Sequence, residues 1–195
     1  MRKSFARSLA VAVFVTVLSV LPARAADEYQ IDPMHTGISF KISHLGLAWV
    51  FGTFKDLSGH FTIDPDNAAA CSFAMTIKAD SIDTAHNKRD DHLRSPDFFN
   101  TKQFPVLTFK STSVKAVEGG YEVTGDLTLH GETKPVTFQI EGGKKAQFPP
   151  GTQRTGYTAK LITIKRSDYG VGAAKFAQAL GDEVHITVSF EGTKK

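Results

Sequence analysis

The chain has 195 residues, with 23 basic against 20 acidic residues and a formal net charge of +3. Residues 1–25 hold four of the basic residues (Arg2, Lys3, Arg7, Arg24) and no acidic one, so the other 170 residues balance 19 against 20. That near-neutral remainder excludes the basic footprint of a nucleic-acid binder. A single cysteine, Cys71, excludes an intramolecular disulfide, a zinc cysteine pair and a Cys-x-x-Cys-His haem attachment.

The N-terminal segment reads as an export signal. Arg2, Lys3 and Arg7 precede an apolar run from Leu9 to Leu21, then Pro22, then Ala23-Arg24-Ala25. A basic start, a short apolar stretch and a small-x-small site form the pattern a signal peptidase reads. The run is short for a resident membrane span, which needs about 20 apolar residues. Residues 1–25 are therefore expected to be cleaved, leaving one domain over 26–195.

From residue 37 onward the dominant pattern has a period of two, which sends alternate side chains to opposite faces of a strand. Ile38, Phe40 and Ile42 alternate with Ser39, Lys41 and Ser43; Tyr121, Val123, Gly125, Leu127 and Leu129 alternate with Glu122, Thr124, Asp126 and Thr128. Phe73, Met75 and Ile77 form another such set, as do Val136, Phe138 and Ile140, and Val184, Ile186, Val188 and Phe190. The expected strands are 37–46, 51–64, 71–83, 106–117, 120–130, 134–142, 154–168 and 183–193. Asp64-Pro65-Asp66-Asn67, Glu118-Gly119-Gly120 and His130-Gly131-Glu132 supply turn chemistry, and a longer Gly/Pro-rich loop is expected over 142–151. Residues 84–95 are expected to form a short helix capped by Thr84 and ended by Pro96. Residues 171–181 read as a short helix or a loose loop, and Cys71 as a buried structural thiol. Eight antiparallel strands with one apolar face fit an all-β, lipocalin-like barrel with a helical insertion, since closure removes the sheet edges. A β-sandwich shares the alternation and stays open as the alternative.

A long series of residues resembles the YceI-like family. It begins with Tyr29-Gln30-Ile31-Asp32, His35 and Phe40-Lys41-Ile42-Ser43-His44-Leu45-Gly46, then Gly52-Thr53-Phe54 and Gly59. It continues through Ile82-Asp83-Thr84, Arg89-Asp90-Asp91-His92-Leu93, Asp97-Phe98-Phe99, Phe104-Pro105, Gly125-Asp126 and Gly131 to Val136. The resemblance implies a periplasmic barrel that binds a polyisoprenoid or similar long apolar chain, with no enzymatic activity and no cofactor beyond that ligand. Association of such proteins with cytochrome b561-type membrane partners implies an isoprenoid quinone as one ligand class. A homodimer is compatible with the same resemblance.

Fifteen phenylalanines supply apolar area with no polar atom in need of a partner. At about 0.8 kcal/mol per buried methylene, each five-carbon isoprene unit gains about 3–4 kcal/mol before ordering costs. The expected cavity wall is Phe40, Ile42, Phe73, Met75, Ile77, Leu107, Phe109, Leu127, Leu129, Phe138, Val184 and Ile186. Leu45, Trp49, Phe51, Phe54, Phe98, Phe99 and Phe104 are expected at its mouth or lid. His44, Arg89 and His92 are the candidate head-group contacts, and no catalytic or metal-ligating set is expected. His86 and His92 are six apart, which does not share one helix face. Two rival readings are a metal-dependent hydrolase using the His/Asp cluster and a stress-related periplasmic interaction module.

Overall fold

The computed structural model describes residues 25–172 and 174–195. The expected leader lies outside the described residues, apart from Ala25. Among the described residues no helix is long and apolar enough to cross a membrane.

Eleven strands form one antiparallel sheet. In chain order they are β1 (Asp27–Ile31), β2 (Gly37–His44), β3 (Ala48–Phe54), β4 (Leu57–Ile63), β5 (Ser72–Lys78) and β6 (Ile82–Asp83), followed by the helix α1 (Asn87–Arg94). Then come β7 (Val106–Val117), β8 (Gly120–Leu129), β9 (Glu132–Gln147), β10 (Gln153–Lys165) and β11 (Leu180–Lys194). The first six strands are three long ones, each broken once: β1 with β2, β3 with β4, and β5 with β6. Counted this way the barrel has eight strands, closed where β11 meets β1 and β2. Each strand otherwise pairs with its neighbour in sequence.

The three breaks lie at one level of the barrel. Pro33 opens a short 3-10 turn between β1 and β2 because it has no N–H for the ladder. The backbone N–H of Lys55 donates to the Ser81 carbonyl (3.2 Å) and that of Lys78 to the Asp56 carbonyl (2.9 Å), holding the broken strands together across the level. Above it β6 follows β3 instead of β7. Residues 84–105 fill the gap that opens there between β6 and β7.

Several expected boundaries shift for physical reasons. The run 51–64 splits at Lys55-Asp56, and β1 precedes the first expected strand. β9 continues to Gln147 through the expected 142–151 loop, because a bulge opposite Thr155–Tyr157 absorbs the glycines and Gln147 still pairs with Gln153. The helix begins at Asn87 with His86 as its cap, not Thr84. Thr84 instead turns inward, and both its N–H (2.9 Å) and its hydroxyl (2.5 Å) donate to the Asp90 carboxylate. Asp90 is thus buried although it lies on a short, highly charged helix. Arg94 pairs with Asp91 (3.2 Å) on the outer side of the helix. Cys71 is buried and free, and residues 171, 172 and 174–179 lie outside the strands, with one short 3-10 turn (Ala174–Phe176).

A candidate lipid cavity in the upper barrel

One end of the barrel is solid. Tyr29 stacks on Phe61 (ring centroids 5.0 Å), Phe61 meets Phe73 (5.9 Å) and Phe190 (5.4 Å), and Tyr157 lies against both Phe73 and Phe190. Tyr29 and Phe61 are completely buried. Burial pushes the Tyr157 phenol well above the usual range, as expected for a hydroxyl set among rings. The seam at this end is tied by charge. Asp32 accepts from Arg154 (2.6 Å), His35 (2.9 Å) and the Met34 N–H (2.9 Å). Arg154 is the largest cause of an Asp32 carboxyl held far below the usual range.

Beyond the aromatic plug the inward faces diverge to enclose a cavity of about 460 Å³. That is a ligand-sized space. Its floor is Phe61, Phe73 and Phe190, and its walls are the inward residues of β2, β3, β5, β7, β8, β9, β10 and β11. Gly52 faces inward on β3, and a methyl there would lie 2.3 Å from the Phe40 ring, so only glycine leaves room for that ring in its present place.

All twelve expected wall residues line the space: Phe40, Ile42, Phe73, Met75, Ile77, Leu107, Phe109, Leu127, Leu129, Phe138, Val184 and Ile186. Phe54, Phe98 and Phe99 line it as well, the last two from the segment after α1. Four expected mouth or lid residues lie elsewhere. Phe51 and Trp49 share the outer face of β3, because Phe54 and Val50 take the inner parity and odd spacings change face. Trp49 lies under the Lys41 ammonium (4.7 Å) and against His185. Leu45 sits exposed in the β2–β3 turn at a positive φ of 54°. Phe104 packs on His130 (4.6 Å) outside the cavity. Ile162, Ile164, Val171 and Phe176 are lining residues that the sequence pattern did not single out, although the first two alternate on β10.

Away from the plug the cavity is bordered by α1, the loop after it, Val171 and residues 176–180. Phe98 stacks on Phe176 (4.9 Å) and meets the His92 ring (4.9 Å). Asp97 accepts from Lys175 (2.8 Å) and contacts His92 Nε2 (3.0 Å), and Lys175 foremost holds its carboxyl below the usual range. His44, Arg89 and His92 all reach the cavity lining, as does Thr84. Arg89 donates to the Thr84 hydroxyl (2.7 Å) and carbonyl (2.6 Å). One further polar residue went unnoticed in the sequence: Arg166, buried at 7 % exposure at the end of β10. Among the described residues no group of three or more His, Cys, Asp or Glu side chains is placed to hold a metal ion.

Residues 29–192 match the YceI-like domain family. The chain is 39% identical over 191 residues to Protein YceI of Escherichia coli O6:H1, covering 97% of this chain and 98% of that one. It is 40% identical over 184 residues to Protein YceI of Salmonella agona, covering 93% and 95%. Among solved structures it superposes on Burkholderia cenocepacia BcnA with a TM-score of 0.71 at 29% identity, covering 83% of this chain and 98% of that one. A polyisoprenoid binding domain from Saccharophagus degradans superposes with a TM-score of 0.64 at 20% identity, covering 86% and 98%, and shares the fold.

Proposed function

We propose, from the premise that this chain belongs to the YceI-like domain family, that the protein is a carrier or store for a long apolar lipid tail and not a catalyst. The observation that carries this reading is the enclosed space of about 460 Å³ above an aromatic floor, walled almost wholly by apolar side chains. A polyisoprenoid suits it. The tail gains by burial alone and needs no hydrogen bond along its length. The solved relative described as a polyisoprenoid binding domain supports the same choice. Isoprenoid quinones and prenyl phosphates both carry such tails, so tail burial by itself is indifferent between them. The N-terminal leader pattern supports a periplasmic location, where a membrane supplies the ligand. A cytochrome b561-type membrane protein and a second copy of the chain are the partners this reading puts to the test.

The test is solvent extraction of the purified protein followed by mass spectrometry, with reloading by geranylgeraniol. A stoichiometric isoprenoid in the extract, or saturable uptake of the added chain, is the expected result. A protein that yields no lipid and takes up none would overturn the reading.

A further inference from the structure

Of the eight large apolar side chains exposed among the described residues, four fall within residues 45–51: Leu45, Leu47, Trp49 and Phe51. Folding does not ask for them there. The β2–β3 turn holds Leu45 at a φ of 54° and Gly46 at 67°, and the Leu47 N–H closes it on the His44 carbonyl (3.0 Å). Two successive positive φ values favour Asn or Asp followed by Gly, and a leucine in the first place is a cost to the turn. Leu47, just beyond, is 83 % exposed. Trp49 and Phe51 continue the strip along the outer face of β3, and the Lys41 ammonium lies 4.7 Å from the Trp49 ring centre.

The strip adjoins the open end of the cavity. The Leu45 N–H donates to the Ala179 carbonyl (2.7 Å), and His44 pairs with Leu180 across the β2–β11 ladder. His44, Val50, Ala179 and Leu180 all line the cavity. The charge here has one sign. Residues 33–55 contain no Asp or Glu, against Lys41 and Lys55. Lys55 is paired with Asp83, so Lys41 supplies the positive charge of the strip. On β11 beside it, Glu183 lies opposite Lys165.

These features fit a bilayer better than a second protein surface. A stable protein interface takes about 800 Å² and about 20–30 residues on each side. Four apolar side chains among Ser39, Ser43, Thr53 and Thr187 on the surrounding outer faces are too few for that. A lipid surface takes such a set: Leu and Phe reach the acyl boundary, while Trp and Lys lie among the head groups. We propose that residues 45–51, with Lys41, dock the barrel on an anionic bilayer, the open end of the cavity lying at the lipid surface. This names the partner from which the carrier reading draws its ligand, and rests on that reading for its purpose alone. The contact is shallow and reversible, unlike a spanning helix.

Trp49 is the single tryptophan of the chain, so its emission reports on this face directly. Titration of the protein with vesicles of phosphatidylethanolamine and phosphatidylglycerol is expected to shift that emission to the blue. The protein is expected to sediment with the same vesicles. Leu47→Ser combined with Phe51→Ser is expected to lower vesicle affinity about tenfold or more. Lys41→Gln is expected to lower it about fivefold, with no such fall on vesicles of phosphatidylcholine alone. All variants share the N-terminal segment, so differences between them report the strip. Uptake of geranylgeraniol in solution, expected unchanged in each variant, shows that they are folded. An emission unmoved by vesicles, or equal vesicle affinity in the double variant, overturns the inference. So does an emission already blue-shifted without vesicles in a protein that sediments as a dimer, which assigns the strip to a second copy. If the unaltered protein docks yet takes up no geranylgeraniol, the carrier reading falls while the docking face stands.

Discussion

The two halves of the barrel are built from the same eight strands with the same inward parity, yet they do opposite things with their interiors. In the closed half the plug residues Tyr29, Phe61 and Tyr157 are 0–4 % exposed. In the open half Phe40, Ile42, Phe109, Leu127, Phe138, Val184 and Ile186 point inward but stay only partly buried, because the space they face is not filled by protein. The difference teaches that a cavity here is not made by placing smaller or more polar residues inside. It is made by breaking three strands at one level and letting β6 leave β7, so that a helix and two loops, not a neighbouring strand, complete the wall.

If that contrast is real, truncations in the two halves must differ in cost. Phe61→Ala is the largest expected effect. It removes the centre of the plug and is expected to cost about 3–5 kcal/mol in denaturant unfolding. A loss below about 1 kcal/mol would mean the plug is not tightly packed.

Asp32→Asn comes next, at about 2 kcal/mol, because it breaks a largely buried ion pair across the seam. The sign of its pH dependence follows from the depressed carboxyl. A group whose folded value lies below its unfolded one adds stability above the ordinary carboxylate range and loses it as pH falls toward the folded value. Stability of the unaltered protein should therefore decline as pH drops below about 4, and the variant's curve should be flatter over that limb. Parallel acid limbs would show that Asp32 is not coupled to the seam.

Smaller still, Leu127→Ala in the cavity wall is expected to cost about 1–2 kcal/mol, since the side chain already faces open space on one side. The same substitution should shift which tail lengths bind best, read by competition among prenyl alcohols. A stability loss equal to that of Phe61→Ala would erase the distinction between the halves. Least of all, Phe51→Ser is expected to change stability by under about 0.5 kcal/mol and leave prenyl-alcohol binding unaltered, because the ring is 65 % exposed on the outer face.

The alternation made most of this wall legible in advance. β7 runs over Val106–Val117, the bounds its pattern suggests, and Leu107 and Phe109 fall inward as their parity requires. Phe51 and Trp49 show where hydrophobicity misleads: both are large and apolar, but the register that faces Phe54 inward turns them out. The strand breaks were hidden because the residues on either side keep the same composition, and only Pro33 announces one. Arg166 was hidden for another reason. It ends an alternating run and would be a surface cation if Val171, Gly172 and Gly181 did not approach it, and that approach depends on tertiary contacts with Phe98, not on any local pattern.

The seam has a consequence for the order in which the molecule is made. Strand neighbours elsewhere are adjacent in sequence, but the Asp27–Lys194 pair spans 167 positions. Loop-closure entropy therefore favours late formation of the β1–β11 pairing, an order that hydrogen-exchange labelling during refolding would check. Until then the sheet is an open trough with two bare margins, unable to enclose a tail and ready to anneal to another chain's margin. Loading must follow ring completion, and a polypeptide shorn of its final strand should aggregate before it ever meets a lipid.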